Sequence, residues 1–244
     1  MTEPSLSNSH KARPHPSPMK PYYEKDGITI YHGDCREILP SISSIESIVT
    51  DPVWPNVPPG YLTGSEDPKG LFDELWSSLL VMPKRASIIL RNDSDPRFLS
   101  GIPSKLEFRQ CSWLRYACVG HMDRFLTGNE VCYHFGEYVA RSPGRISIPA
   151  IGPVACRTSD RPNHPCPRSL KHTSWIVSFW SECEVLDPFM GSGTTLVAAR
   201  NLGRKAIGIE IEEQYCEVAV QRLAQAVLPF DDPEPTKPVD ARLF

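Results

Sequence analysis

Residues 185–215, VLDPFMGSGTTLVAARNLGRKAIGIEIEEQY, decide the fold of this 244-residue chain. An apolar strand ends at Asp187, a turn carries Gly191 and Gly193, and a helical segment then leads to a second strand that ends at Glu210. Glycines let a backbone turn sharply and approach a ligand, and an acid at the second strand end accepts hydrogen bonds from both ribose hydroxyls. The stretch therefore indicates a strand–helix–strand unit that binds a nucleoside-containing cofactor.

Short apolar strands alternate with helical periods through the rest of the folded part. Strands are predicted in ITIYHGD (28–34), IESIVTD (45–51), ASIIL (86–90), CEVLD (183–187) and KAIGIE (205–210). Helices are predicted over 69–81 with Leu71, Phe72, Leu75 and Leu79 on one face, from Thr194 to a C-cap at Gly203, and from about Glu212 to Leu228 with Cys216, Ala219, Val220 and Leu223 inward. This alternation predicts an α/β fold whose central sheet is mostly parallel.

Acidic residues stand at four of the predicted strand ends. In open parallel sheets ligands bind beyond the carboxyl ends of the strands, and those ends carry Asp34, Asp51, Asp187 and Glu210. Any one of them is explained equally well as a helix N-cap or a solvated turn residue. Together they predict a binding site along one edge of the sheet.

The glycine turn lacks the features of the common phosphate-binding loops. A dinucleotide fingerprint has a third glycine where this chain has Leu196, and a P-loop ends in Gly-Lys-Ser/Thr. S-adenosylmethionine carries no phosphate and suits the turn better. Asp187 would then face its ammonium or sulfonium group, because a carboxylate stabilises nearby positive charge.

Two motifs resemble those of a known enzyme family. DPFMGSGTT is similar to the cofactor motif of the amino-methyltransferases that act on adenine N6 or cytosine N4 of DNA, and TDPVW resembles their catalytic Asp-Pro-Pro-aromatic motif. The catalytic motif precedes the cofactor motif, which is the circularly permuted order of the β class. The resemblance implies a Rossmann-like methyltransferase fold, a mostly parallel central sheet with helices on both faces.

Three further segments extend the resemblance over most of the folded part. YHGDCREILPSI and GNEVCYHFG are similar to family segments, and NHPCPRSL stands where the family has His-Pro-Thr-Gln-Lys-Pro, with Arg168 for the lysine and Ser169 for the last proline. By this resemblance S-adenosyl-L-methionine is bound by Asp34, His164, Pro165, Asp187, Phe189, Gly191, Gly193, Thr194 and Glu210.

The same resemblance assigns catalytic roles to Asp51, Pro52 and Trp54. An exocyclic amino nitrogen is a poor nucleophile, and hydrogen bonds to the Asp51 carboxylate and the Pro52 carbonyl would favour a pyramidal nitrogen that attacks the sulfonium methyl in line. Such an enzyme flips its target base out of the duplex, and Trp54 would stack on it. Val53 departs from the motif, because the family has a second proline there. The alternative is that Trp54 is a buried core indole and Asp51 a turn residue.

Double-stranded DNA is the expected partner, although the net charge of −3 gives no global sign of a nucleic-acid binder. The segment from Arg141 to Lys171 is locally basic, and residues of about 137–163 are predicted to form a small recognition insert. The alternative for this segment is a solvated surface. The proline-rich loop 54–70 is a second candidate for DNA contact.

The ends of the chain are predicted to be disordered tails, residues 1–20 and 229–244, around a catalytic domain of residues 21–228. The eight cysteines form no Cys-x-x-Cys pair, so no metal site is predicted. No apolar run approaches the length of a membrane span and no signal-peptide core is present, which predicts a cytoplasmic protein without a membrane partner. The sequence leaves open whether the protein is a homodimer and whether it has a partner nuclease.

The sequence therefore predicts an S-adenosylmethionine-dependent, site-specific DNA methyltransferase of the kind found in restriction-modification. Adenine N6 is the favoured target, because by family resemblance an Asp at the head of the catalytic motif is commoner for adenine and a Ser for cytosine N4. The alternatives are cytosine N4 methylation, methylation of RNA in place of DNA, a catalytically silent methyltransferase-like DNA-binding protein, and a nicotinamide-dependent oxidoreductase. The last would need the missing third glycine.

Overall fold

The computed structural model describes residues 19–117, 120–122, 125–127, 129–139, 149–156 and 168–225. Its strands are β1 (Tyr23–Lys25), β2 (Ile28–His32), β3 (Ser47–Thr50), β4 (Arg85–Arg91), β5 (Phe108–Leu114), β6 (Gly120–Met122), β7 (Phe125–Thr127), β8 (Glu130–Gly136), β9 (Glu184–Asp187) and β10 (Lys205–Glu210). Its α-helices are α1 (Cys35–Ile38), α2 (Pro68–Ser78), α3 (Leu170–Trp180), α4 (Thr194–Asn201) and α5 (Glu213–Ala224). No helix within these ranges is long and apolar enough to cross a membrane.

The central sheet has eight strands in the order β1-β2-β10-β9-β3-β4-β8-β5. The five strands from β2 to β4 are mutually parallel, while β1, β8 and β5 pair antiparallel with their neighbours. The prediction of a mostly parallel sheet is confirmed. Because β8 runs antiparallel to β4, its first residue, Glu130, lies opposite Arg91 at the carboxyl edge of the parallel strands.

Helices cover both faces of the sheet. On one face α1 and α2 pack Ile38, Phe72 and Leu75 against strand residues such as Ile48. On the other face the core is formed by α3, α4 and α5, with Val49 from the same strand. Alternate residues of β3 thus belong to opposite cores, as expected for a strand that is buried on both sides.

Two predicted helices differ in detail from those observed. The last helix ends at Ala224, four residues before the predicted end, because Gln225 has an extended backbone with ψ of 129°. Its inward face is as predicted, with Cys216, Ala219 and Leu223 buried. In α2 the buried residues are Phe72, Leu75 and Trp76, whereas Leu79 follows the helix in an extended conformation.

Candidate active site

A cavity of about 500 Å³ opens at the carboxyl ends of the parallel strands. The four acids predicted from the strand ends, Asp34, Asp51, Asp187 and Glu210, all line it. Pro52, Trp54, Phe189, Gly191 and Thr194 line it as well. The parallel register places these residues together although they are far apart in the chain.

The glycine loop is tied to the end of β10. The backbone N–H of Gly191 donates to Oε2 of Glu210 at 2.8 Å, and the N–H of Glu212 donates to its Oε1 at 2.8 Å. Each carboxylate oxygen has a second lone-pair site for a further donor. Burial raises the pKa of Glu210, and the two backbone donors oppose this shift.

Gly193 has a different role from Gly191. It precedes α4 with φ of +77°, and a Cβ placed on it would lie 2.7 Å from the Cβ of Ala219 in α5. It is not part of the cavity wall as the structure describes it. Glycine at this position therefore permits the left-handed backbone and the close packing of α5 behind the loop.

Asp187 is a buried carboxylate held by neutral donors. Its Oδ1 accepts from Oγ1 of Thr50 at 2.7 Å and from the N–H of Phe189 at 3.2 Å, and the Thr195 side chain also bonds to it. The residue is only 4% exposed. Burial raises its pKa to about 6, and the three donors counteract part of that shift. A cationic ligand would relieve the cost of this buried charge.

Arg222 supports the loop from behind. Its Nη1 lies 2.6 Å from the carbonyl oxygen of Ser192 and 3.0 Å from the hydroxyl oxygens of Ser192 and Thr194. Burial lowers the pKa of this guanidinium. One side chain of α5 thus fixes three acceptors at the start of α4.

Asp34 lies in the cavity wall but is already engaged. Its carboxylate caps α1 by accepting from the N–H of Arg36 at 2.8 Å, and it forms an ion pair with the Arg36 guanidinium at 2.6 Å. The Arg36 hydrogen bond is the main reason that the pKa of Asp34 is lowered. The N-cap explanation and the binding-site explanation are both compatible with this position.

Asp51 is engaged through both of its oxygens. Its Oδ1 accepts from Nε1 of Trp54 at 2.7 Å, and its Oδ2 forms an ion pair with Nε of Arg168. Burial raises the pKa of Asp51 to about 6, whereas Arg168 and the Trp54 N–H lower it and Glu130 raises it. Asp51 is therefore not a simple turn residue, because it belongs to a hydrogen-bonded cluster at the end of β3.

The Trp54 ring is 7% exposed and belongs to the core cluster beside α2. The Arg168 guanidinium carbon lies 4.0 Å from a Trp54 ring centroid, and that of Arg91 lies at 5.7 Å. The indole is thus both a core residue and a wall of the cavity. The ring face that contacts Arg168 is covered in this structure.

Glu130 completes the cluster from β8. It is 3% exposed, accepts from Nη1 of Arg168 at 2.6 Å, and accepts from the Tyr116 hydroxyl at 3.2 Å with each oxygen. Burial and the Glu130 charge raise the pKa of Tyr116. Arg168 therefore bridges two carboxylates, one directly after β3 and the other at the start of β8.

The loop 54–70 contributes residues to the cavity wall. The Thr63 hydroxyl donates to Glu212 at 2.5 Å, which joins the loop to the start of α5. Tyr61 lines the cavity and is 59% exposed. The second predicted DNA-contact segment thus borders the site.

Several predictions lie outside the described residues. These are His164, Pro165 and most of the proposed recognition insert, namely 140–148 and 157–163, together with 1–18 of the first tail and the whole of the second. The sequence did not single out Arg222, the bridging role of Arg168, or Glu130 as its partner. The similarity of GNEVCYHFG to a family segment was the one signal that pointed toward Glu130.

The chain is similar to known DNA methylases. The family model described as DNA methylase matches residues 20–221. YubD of Escherichia coli strain K12, named as a methylase, is 62% identical over 209 residues, which cover 79% of this chain and 88% of YubD.

Two solved structures share the fold. The S-adenosylmethionine complex of M1.HpyAVI is 24% identical, covers 81% of this chain and 100% of its own, and has a TM-score of 0.63. The cytosine-N4-specific PvuII DNA methyltransferase is 15% identical, covers 86% of this chain and 90% of its own, and has a TM-score of 0.61.

Proposed function

The chain belongs to the N6/N4 DNA methylase family, and from that premise we propose that it methylates the exocyclic amino nitrogen of a base in DNA, with adenine N6 as the target. The observation that carries the proposal is one cavity lined by Asp51, by Gly191 of the glycine loop and by the two buried acids Asp187 and Glu210. An amino group and a methyl donor would meet there. The adenine preference rests on the aspartate that heads the TDPVW motif.

S-adenosylmethionine is the cofactor, and it would supply a sulfonium methyl for transfer. Glu210 fits the ribose, because each of its oxygens accepts one backbone N–H and has capacity for a second donor. Asp187 fits the cationic end, because it is a buried carboxylate held by neutral donors. Phe189 offers an apolar wall in the same cavity.

The chain's own contribution to the reaction is to hold the target nitrogen. Asp51 and the Pro52 carbonyl would each accept one N–H of the amino group, which favours a pyramidal nitrogen with its lone pair directed at the methyl carbon. The nitrogen would form the new N–C bond with the methyl group that the cofactor supplies, and the electron pair of the cleaved S–C bond would stay on sulfur. The methylated nitrogen would then release one proton, which the Asp51 carboxylate can accept.

A flipped base would lie on the indole of Trp54. The guanidinium of Arg168 lies 4.0 Å from a ring centroid of that indole, so the base would contact the part of the indole that lines the cavity beside Arg168. Stacking on an aromatic ring contributes about 1–3 kcal/mol per base. Trp54 would thus combine a core role with a binding role.

We further propose that the loop 54–70 and the insert of residues 137–163 hold the duplex. Tyr61 projects from the loop at the cavity wall, and Tyr138, in the described part of the insert, is 66% exposed. Tyr61→Ala should weaken DNA binding by about 1–3 kcal/mol if the ring stacks on a base. Leu80→Ala is the control, because Leu80 is exposed but does not line the cavity.

The test is methyl transfer from labelled S-adenosylmethionine to unmethylated duplex DNA, followed by nucleoside analysis. Label in N6-methyladenine is expected from the wild-type protein and from Arg97→Gln, a control at an arginine whose side chain is 90% exposed. Asp51→Ala should abolish the label while retaining S-adenosylhomocysteine binding. Label only in N4-methylcytosine would overturn the adenine assignment, and full activity of Asp51→Ala would overturn the mechanism.

A further inference from the structure

Arg168 contacts the proposed active site at three points, none of which its sequence motif predicts. Its Nε pairs with Asp51, its Nη1 lies 2.6 Å from Oε1 of Glu130, and its planar group lies on the Trp54 ring at 4.0 Å. Its side chain is only 13% exposed. These three contacts use one face and two edges of a single guanidinium.

Glu130 fixes the far edge of that guanidinium. The Glu130 side chain is 4% exposed and is held by the Tyr116 hydroxyl as well as by Arg168. A buried carboxylate of this kind has little freedom, since moving it would leave a charge or a hydroxyl without its partner. The Arg168 head group is consequently positioned from β8, across the sheet edge from Asp51.

We propose that Arg168 is a positioning residue for the methyl-transfer step: anchored by Glu130, its guanidinium keeps the Asp51 carboxylate ionised and directed toward the target amino group. The inference rests on the proposed function. It extends to Glu130, because the one positive charge of Arg168 is shared between the Asp51 and Glu130 carboxylates.

Arg168 and Glu130, which carry opposite charges, have opposite effects on the ionisation of Asp51. Arg168 favours the ionised form of Asp51, whereas Glu130 disfavours it both by repulsion and by competing for the guanidinium. The directions of the pKa contributions at Asp51 agree, because Arg168 lowers that pKa and Glu130 raises it. Among the described residues, the other titratable or charged groups around the cluster are Arg91 from β4, Tyr116 and Cys132 beside Glu130, Asp187 beyond Thr50, and His172 on α3.

The experiment is the pH dependence of single-turnover methylation with cofactor and DNA saturating. Arg168→Gln should shift the acid limb of the pH–rate profile, which reports the ionisation of Asp51, upward by about one pH unit or more. The reason is that an opposite charge at contact distance lowers a carboxyl pKa by roughly 1–3 units. Glu130→Gln should shift the same limb downward. The rate of Arg168→Gln at pH 7 should fall several-fold and recover in alkaline solution.

Three controls make the result specific. S-adenosylhomocysteine affinity should stay within about twofold of the wild type in each variant, as a twofold change is below 0.5 kcal/mol. Arg168→Lys should keep the limb near its wild-type position, because it retains the charge. Arg97→Gln should leave both limb and rate unchanged. If Glu130→Gln does not fold, the Arg168→Gln and Arg168→Lys pair still decides the question.

Two outcomes would overturn the inference. The first is an acid limb that coincides in the wild type and Arg168→Gln. The second is a shift in the same direction for Arg168→Gln and Glu130→Gln, which would indicate a general structural disturbance. Absence of methylation by the wild-type protein would instead refute the proposed function, so the two failures are distinguishable.

Discussion

The indole nitrogen of Trp54 donates a 2.7 Å hydrogen bond to Oδ1 of Asp51, three residues earlier in the chain. The ring that is proposed to stack on the base therefore also orients the carboxylate that is proposed to bind the amino group. Because Oδ2 is paired with Arg168, the carboxylate is held at both oxygens. Its orientation before DNA binds is thus set by two side chains.

Trp54→Phe separates the hydrogen bond from the ring. Phenylalanine retains an aromatic face and most of the buried area but donates no hydrogen bond to Asp51. A bond to a charged acceptor contributes about 1.5–3 kcal/mol, so methylation at neutral pH should fall about tenfold or more. Single-turnover rates measure this. Trp54→Ala should in addition lower the free energy of unfolding by about 3–5 kcal/mol, and a fully active Phe variant would contradict the orienting role.

Asp187→Asn should stabilise the cofactor-free protein at neutral pH. Burial raises the Asp187 pKa from 3.8 to about 6, so the folded state binds more protons than the unfolded state between these values, and stability falls as pH rises through that window. A neutral amide keeps the acceptor oxygen and removes this penalty, on the order of 1–3 kcal/mol. Thermal unfolding should show a gain above pH 6 that disappears below about pH 4.

The same substitution should weaken cofactor binding, which separates stability from function at this residue. Without the carboxylate the cationic end loses its counter-charge, and affinity for S-adenosylmethionine should fall by about tenfold or more. Calorimetric titration at pH 7.5 measures this. Unchanged affinity would place the cationic end elsewhere in the cavity.

The sequence predicted the fold because its signals are local. The glycine turn, the strand periods and the acids at strand ends each occupy a few consecutive residues, and parallel pairing then brings Asp51, Asp187 and Glu210 to one edge. The predicted last helix is too long, because the residues after Leu223 continue a helical composition, whereas the backbone becomes extended at Gln225.

The cluster around Asp51 was not predictable in the same way. Arg168 lies 117 residues from Asp51 and 38 from Glu130, and no periodicity relates the three. Their contact depends on the antiparallel direction of β8, which places Glu130 at the carboxyl edge. The sequence indicates only a substituted lysine in a basic segment at Arg168, whereas the structure places its side chain, 13% exposed, between two acids.

Gly193→Ala and Gly203→Ala form a matched pair. Both glycines have positive φ, +77° and +66°, so alanine at either costs about 1–2 kcal/mol of backbone strain. At Gly203 nothing lies within 4 Å of the new Cβ, but at Gly193 it would lie 2.7 Å from Ala219. Gly193→Ala should therefore lower the free energy of unfolding by about 1–3 kcal/mol more than Gly203→Ala does, and it should bind the cofactor weakly. Equal losses of stability in the two variants, measured by thermal unfolding, would show that α5 moves to accommodate the new Cβ.

Arg222→Met should loosen the glycine loop, although Arg222 does not itself line the cavity. Nη1 holds the Ser192 carbonyl and the hydroxyls of Ser192 and Thr194, so its loss frees the start of α4. The dissociation constant of S-adenosylhomocysteine should rise about tenfold, equivalent to about 1.4 kcal/mol. The control is Arg200→Met, which removes a bond to the Leu223 carbonyl and should reduce stability alone. Equal dissociation constants in the two variants would show that Arg222 supports the helix pair and not the loop.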